Sequence, residues 1–243
     1  MEFEDDAFVL AARPYGESGA IVDFLTAQRG LFAAHVAGGA SRKLKPLLQA
    51  GSRVRLRYRA RVAEQLGSAS LEAMGEGPSA LFESPLALSG LAAAAAVTGG
   101  ALPERQPHPG AFLAFEALVA AFAHDSIWPA VFIRYEAGLL QELGFGLDLS
   151  RCAVTGAVDD LVFVSPRTGR AVSSAAGEAY SARLLALPPF LLSAQMPLAD
   201  GDIGAGFALT GHFLETWVFG PLNKPLPPAR VWMLDRLEAS GRL

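Results

Sequence analysis

The chain has 243 residues, 51% of them hydrophobic, a net charge of −4 and one cysteine. That is enough for one large domain or two small ones around a real core, and the composition is not that of a disordered chain. Cys152, being alone, excludes an internal disulfide and a four-cysteine zinc site, and an unpartnered thiol suits a reducing cytoplasm.

The first ten residues, "MEFEDDAFVL", are acidic where a secretory signal would be basic, so no export signal is expected. Residues 1–80 read as β. The runs "DAFVLAARPYG", "GAIVDFLTAQRG", "LFAAHVAGG", "GSRVRLRYRARV" and "GSASLEAMG" are short, apolar-alternating and bounded by Gly, Pro or Ser. Five such strands in one small domain suit a closed barrel, of which the OB-fold is the common oligonucleotide-binding form.

The fourth run places Arg53, Arg55, Arg57, Arg59 and Arg61 at every second position. On a strand they share one face, and Val54, Leu56, Tyr58, Ala60 and Val62 share the other. Two readings fit: an ordinary half-buried strand with a solvated face, or a basic face that binds a polyanion. Arg29 and the loop residues Arg42, Lys43 and Lys45 bring the cluster to nine cations, with no acidic residue between Asp23 and Glu64. A local basic patch on an acidic protein directs a polyanion to one place. The arginines would recur every ~6.6–6.8 Å, close to the spacing of phosphates on an extended single strand. Tyr15, Phe32 and Tyr58 are the aromatic candidates for base stacking, although Tyr58 falls on the face opposite the arginines.

The texture changes after Pro78. The uncharged stretch between Glu83 and Glu104 is mostly Ala and is broken by Pro and Gly, which suits a packed helix and not a membrane span. "PGAFLAFEALVAAFAHD" spaces Phe112, Phe115, Leu118, Val119 and Phe122 for one helix face. The next helix is expected in "SIWPAVFIRYEAGLLQELGFG", with Ser126 as its cap and Gly144 to Gly146 as its stop. Residues 147–175 break the helical pattern and hold one clear strand, Leu161 to Val164. Helical texture is expected again from "GEAYSARLLAL" to the end.

No catalytic constellation is visible, so the chain does not read as an enzyme. "GESGA" lacks the last Gly of a nucleophile elbow and lies between two strands, which makes Ser18 a turn residue. His35, His108, His124 and His212 are scattered, and there is no phosphate-binding Gly-rich motif. No cofactor is expected.

Four stretches, in order and nearly end to end, resemble the RecO family of bacterial recombination mediators. They are "RPYGESGAIVDFLTAQRGLFAAHVAGGAS", "FIRYEAGLLQELGFGLDLSRCAVTG", "DDLVFVSPRTGRAVS" and "LNKPLPPAR". The resemblance implies an α+β protein: an N-terminal OB-fold barrel over 1–80 that binds DNA, then a mainly α-helical domain over 81–243. A small zinc-finger-like subdomain would be inserted at about 147–175. It implies binding of single- and double-stranded DNA, annealing of complementary strands, and help in loading RecA onto SSB-coated DNA. The implied partners are RecR, the SSB C-terminal tail and, in many bacteria, RecF. The implied location is the cytoplasm, on the nucleoid. Arg134, in the family's central motif, is the implied contact for the SSB tail. Many members hold zinc with two C-x-x-C pairs. Here those positions are Cys152 and Thr155, then Ser173 and Ala176, so no metal is expected. The alternative from another class is an OB-fold RNA-binding or ribosome-associated protein.

Overall fold

The computed structural model describes every residue except 63, 64, 76, 78–80 and 82. The described chain divides into two compact units: 1–125 with 227–233, and 126–226 with 234–243. The domain boundary expected at residue 80 lies outside the described residues.

In the first unit, β1 (Glu2–Tyr15), β2 (Gly19–Thr26), β3 (Gly30–Val36), β4 (Arg53–Arg59) and β5 (Gly67–Ala73) close into a barrel ordered β1-β2-β3-β5-β4. The β3–β5 pair is parallel and the others are antiparallel. This is the expected OB-type barrel. Its interior is set by strict alternation: Val54, Leu56 and Tyr58 point in with Val22, Phe24, Phe32 and Ala34, while Arg55, Arg57 and Arg59 are exposed. A shift of one residue would bury those arginines, so the register is strongly specified.

β1 starts at Glu2, four residues before the expected run, because Glu2 to Asp6 pair with β4. Residues Ala7 to Leu10 are buried on both faces. Ala7 and Val9 face the barrel interior, and Phe8 meets Phe112 and Phe115 at ring centroid distances of 5.3 and 5.2 Å. Those two rings belong to α2 (Pro109–Ala121); α1 (Pro85–Ala101) is capped by the Ser84 side chain, which accepts from the Ala87 N–H.

In the second unit, α3 (Trp128–Glu142) has Ile127 at its cap position and Pro129 in its first turn. Proline is suited to that turn, so it decides the start in place of Ser126. The stop is as expected: Gly144 takes φ +83°, and the N–H groups of Gly144 and Phe145 return to the carbonyls of Gln141 and Leu140. α5 (Asp202–Phe213) packs on α3 through Phe132 and Phe207, 5.6 Å apart, and through the fully buried Glu136, which accepts the Thr210 hydroxyl. Between them in sequence lies a sheet ordered β7-β6-β8: β6 (Leu161–Val164), β7 (Ala171–Ser173) and β8 (Leu185–Ala186), with a single turn α4 (Ser174–Gly177). The helix expected in "GEAYSARLLAL" is instead a 3-10 segment, Glu178–Arg183, followed by β8, because the β6 edge recruits residues 185 and 186. The last helix, α6, spans Pro228–Ala239.

Gly67 lies against the Tyr58 ring, where an added β-carbon would overlap Cζ and the hydroxyl. Gly67→Ala should therefore force Tyr58 to move and lower stability by about 1–3 kcal/mol. Urea unfolding checks this, and an unchanged midpoint would contradict the packing.

Candidate nucleic-acid interface

The arginine row exists as expected, but it does not stand alone. β1 runs antiparallel to β4 with Glu2 opposite Arg59, Glu4 opposite Arg57 and Asp6 opposite Arg55. Arg59 Nη2 lies 2.9 Å from Glu2 Oε1, Arg55 Nε lies 3.0 Å from Asp6 Oδ1, and Arg57 binds Glu4. Arg53 binds Glu116 of α2 and approaches Asp6 Oδ2 at 3.8 Å. From the other side, β5 sets Glu72 opposite Arg55. Four guanidinium groups thus face five carboxylates: Glu2, Glu4, Asp6, Glu72 and Glu116.

This ladder is largely exposed, so each pair adds little to stability. Its effect on charge is larger than its effect on stability. The hydrogen bond from Arg59 holds the Glu2 carboxyl below its ordinary value, so that group stays ionised opposite the arginine at neutral pH. Asp5, turned inward from the ladder, is pushed the other way by burial. The sequence signal for the ladder is present in "MEFEDD": acidic residues at 2, 4 and 6 repeat with the same period of two as the arginines. Only strand pairing shows that the two rows are adjacent.

The other predicted cations have different surroundings. Arg42, Lys43 and Lys45 are exposed on the connection between β3 and β4, and none makes an ion pair among the described residues. The connection is anchored: Leu48 enters the barrel core, Leu44 and Leu47 pack against it, and the Ala40 N–H donates to the Ser18 carbonyl in the β1–β2 turn at 3.0 Å. Apolar residues at 44, 47 and 48 fasten the turn, which leaves the cations at 42, 43 and 45 outward. Beside them a groove of about 400 Å³ runs between the connection and the hairpin, lined by Arg13, Pro14, Ala40, Lys45 and Gln49. Tyr15, 54% exposed at the hairpin tip, meets the edge of His35 at 5.5 Å. Arg13, which pairs with Asp23 at 3.1 Å, and His35 are neighbours of this loop that no sequence pattern singles out.

Arg61 is exposed just beyond β4. Arg29 lies in the β2–β3 turn, next to Phe3 at the start of β1, whereas Tyr15 ends that strand. The structure therefore separates the predicted residues into a paired strand face, a loop cluster by the hairpin, and Arg29 at the far end of β1.

In the second unit, Arg134 is half-buried on α3 and donates to the carbonyl of Phe190, in the 3-10 turn Pro189–Leu191. The cation thereby tethers a backbone turn. In the 147–175 segment, Cys152, Thr155 and Ser173 come together. The buried Cys152 Sγ accepts from the Thr155 N–H at 3.5 Å, the Ser173 N–H at 3.3 Å and the Ser173 hydroxyl at 3.4 Å. One sulfur with a serine and a threonine is not a donor set for structural zinc, and these hydrogen bonds close the turn. Among the described residues no cluster of three or more His, Cys, Asp or Glu side chains is placed to hold a metal.

The donation from Ser173 and Thr155 lowers the Cys152 thiol from its ordinary 9.0 to about 6, against the opposing effect of burial. A value lowered on folding adds stability that is fully present above the unfolded value and is lost as pH falls through the folded one. The stability advantage of the wild type over Cys152→Ser should therefore grow between about pH 6 and 9. Thiolate absorbance should titrate near the lower value and move upward in Ser173→Ala. A midpoint unmoved by Ser173→Ala would remove the hydrogen bonds as the cause.

Comparison with known proteins bears on this geometry. Residues 1–73 match the family described as Recombination protein O N terminal, and residues 83–225 match Recombination protein O C terminal. A protein named DNA repair protein RecO from Phenylobacterium zucineum is 73% identical over the whole of both chains. Its namesake from Caulobacter vibrioides (strain NA1000 / CB15N) is 67% identical, also over the whole of both. One from Rhodospirillum centenum is 47% identical over 97% of this chain and 94% of the relative. With an OB-type barrel, a helical second half and matches spanning both, the chain belongs to the RecO family, whose role is in DNA repair and recombination.

Proposed function

We propose that this chain is a recombination mediator that binds DNA through phosphates, anneals complementary single strands and helps load RecA onto SSB-coated DNA with RecR, and with RecF where that partner is used. It acts by holding strands and not by catalysis. The observation that carries the reading is the loop cluster: three exposed cations, unpaired among the described residues, fixed to an OB-type barrel in a chain with net charge −4.

Arginine and lysine neutralise phosphates regardless of base, which suits a protein that must hold any strand and leave base edges free to pair. On this reading the phosphate track starts at Arg42, Lys43 and Lys45 and is extended by Arg61 and Arg29. Arg53, Arg55, Arg57 and Arg59 play a smaller part, because a phosphate entering their face meets Glu2, Glu4 and Asp6 along the same row. That arrangement discourages a strand from lying along the paired face.

The SSB tail is acidic and ends in an apolar residue with a free carboxylate, so it calls for an apolar surface with a cation. Arg134 on α3 is the proposed contact, with the neighbouring exposed Leu192 as apolar surface.

Arg42→Glu with Lys43→Glu should weaken single-strand binding at least tenfold at moderate salt and slow annealing in proportion, with circular dichroism unchanged. Arg134→Ala should slow annealing only when the strands carry SSB. Full annealing by the loop variant would remove the loop from the site. Tighter binding of RNA than DNA by the wild type would replace this reading with an RNA-binding one.

A further inference from the structure

The end of the barrel opposite the β1–β2 hairpin carries an aromatic pocket beside Arg29. It is lined by Phe3, Gln28, Arg29, Phe32, Tyr58 and Arg105 and encloses about 200 Å³. Phe3 stacks on Tyr58 with centroids 4.8 Å apart and planes at 25°, and Phe32 meets both rings edge-on at 5.7 and 5.5 Å. Tyr58 and Phe32 are nearly buried, at 4% and 6% exposure, and serve as the floor. The guanidinium of Arg29 covers Phe3, with Cζ 3.8 Å from the ring centroid. Its backbone is pinned by the Arg29 N–H donating to Thr26 Oγ1 at 3.1 Å, and its Nε is buried without a hydrogen-bond partner. Among the described residues Arg29 makes no ion pair within 4.0 Å, and the half-buried Asp5 carboxylate is near enough to feel its charge.

A planar cation laid on an aromatic ring is itself a stacking platform, because the guanidinium has two faces and the ring occupies one. Apolar rings below and a planar cation at the mouth suit a flat, polarisable, anion-bearing ligand. We propose that this pocket receives one unstacked nucleobase of a bound single strand, seated against the Arg29 guanidinium and the aromatic rings. The inference rests on the DNA-binding reading above and adds a base-dependent contact to it. It would make the protein favour single strands over duplex, since a paired base cannot leave its stack without cost.

The test compares an oligothymidylate with a fully abasic oligomer of the same length and charge, by fluorescence anisotropy at fixed salt. The wild type should bind the intact strand on the order of tenfold more tightly than the abasic one. Arg29→Lys keeps the charge and loses the plane, so it should bring the ratio close to one with little change in affinity for the abasic strand. Thermal unfolding of the variant controls for a structural effect. Equal binding of both strands by the wild type, or a ratio preserved in Arg29→Lys, would overturn the base pocket while leaving the loop site standing. Failure to bind either strand would remove the DNA-binding reading together with the pocket.

Discussion

The pairing of β1 with β4 is the interaction on which the rest of this protein's barrel surface depends. It closes the barrel, and it lays an acidic row of period two against a basic row of period two. Because side chains on adjacent strands at matched positions are near neighbours, Arg55, Arg57 and Arg59 each pair with a carboxylate while remaining open to solvent. The energy in each pair is small. The consequence for charge is not, since a row that would otherwise attract any polyanion becomes a balanced surface.

The positive charge that remains available follows from that cancellation. It lies where the chain leaves the sheet: on the loop between β3 and β4, just past the end of β4 at Arg61, and in the β2–β3 turn at Arg29. The loop is not a loose arm. Leu44, Leu47 and Leu48 pin it to the barrel, and the Ala40–Ser18 hydrogen bond ties it to the neighbouring hairpin. The backbone that carries its cations is therefore anchored to the barrel, which lowers the cost of ordering the loop for a ligand. On the proposed reading, the acidic row discourages a strand from lying along the sheet.

The barrel strands β2 to β5, the buried face of β4, the cap of α1, the stop of α3 and the strand at 161–164 are all readable from alternation, helical spacing and turn chemistry. What is not readable comes from partners distant in sequence. Glu2, Glu4 and Asp6 are about fifty positions from the arginines they balance, and only register joins them. Ser126 is a good cap in isolation, yet Pro129 dictates the first turn of α3 and moves its start. Residues 185 and 186 form a strand because β6 offers an edge. One Arg134 nitrogen donates to the Phe190 carbonyl, 56 positions away, a contact that the sequence around Arg134 does not show. Phe3 carries no signal as a site residue until Tyr58, Phe32 and Arg29 are placed around it.

The most direct test is the salt dependence of single-strand binding, measured side by side for the wild type, a loop variant with Arg42, Lys43 and Lys45 changed to Gln, and a ladder variant with Arg55 and Arg57 changed to Gln. Removing one phosphate-binding cation lowers the slope of log K against log salt by about 0.7. If the carboxylates cancel the strand arginines, the loop variant loses about 2 in slope and the ladder variant keeps nearly all of it. A ladder variant that loses about 1.4 while the loop variant keeps its slope would contradict that cancellation, and would mean that the paired arginines exchange their carboxylates for phosphate.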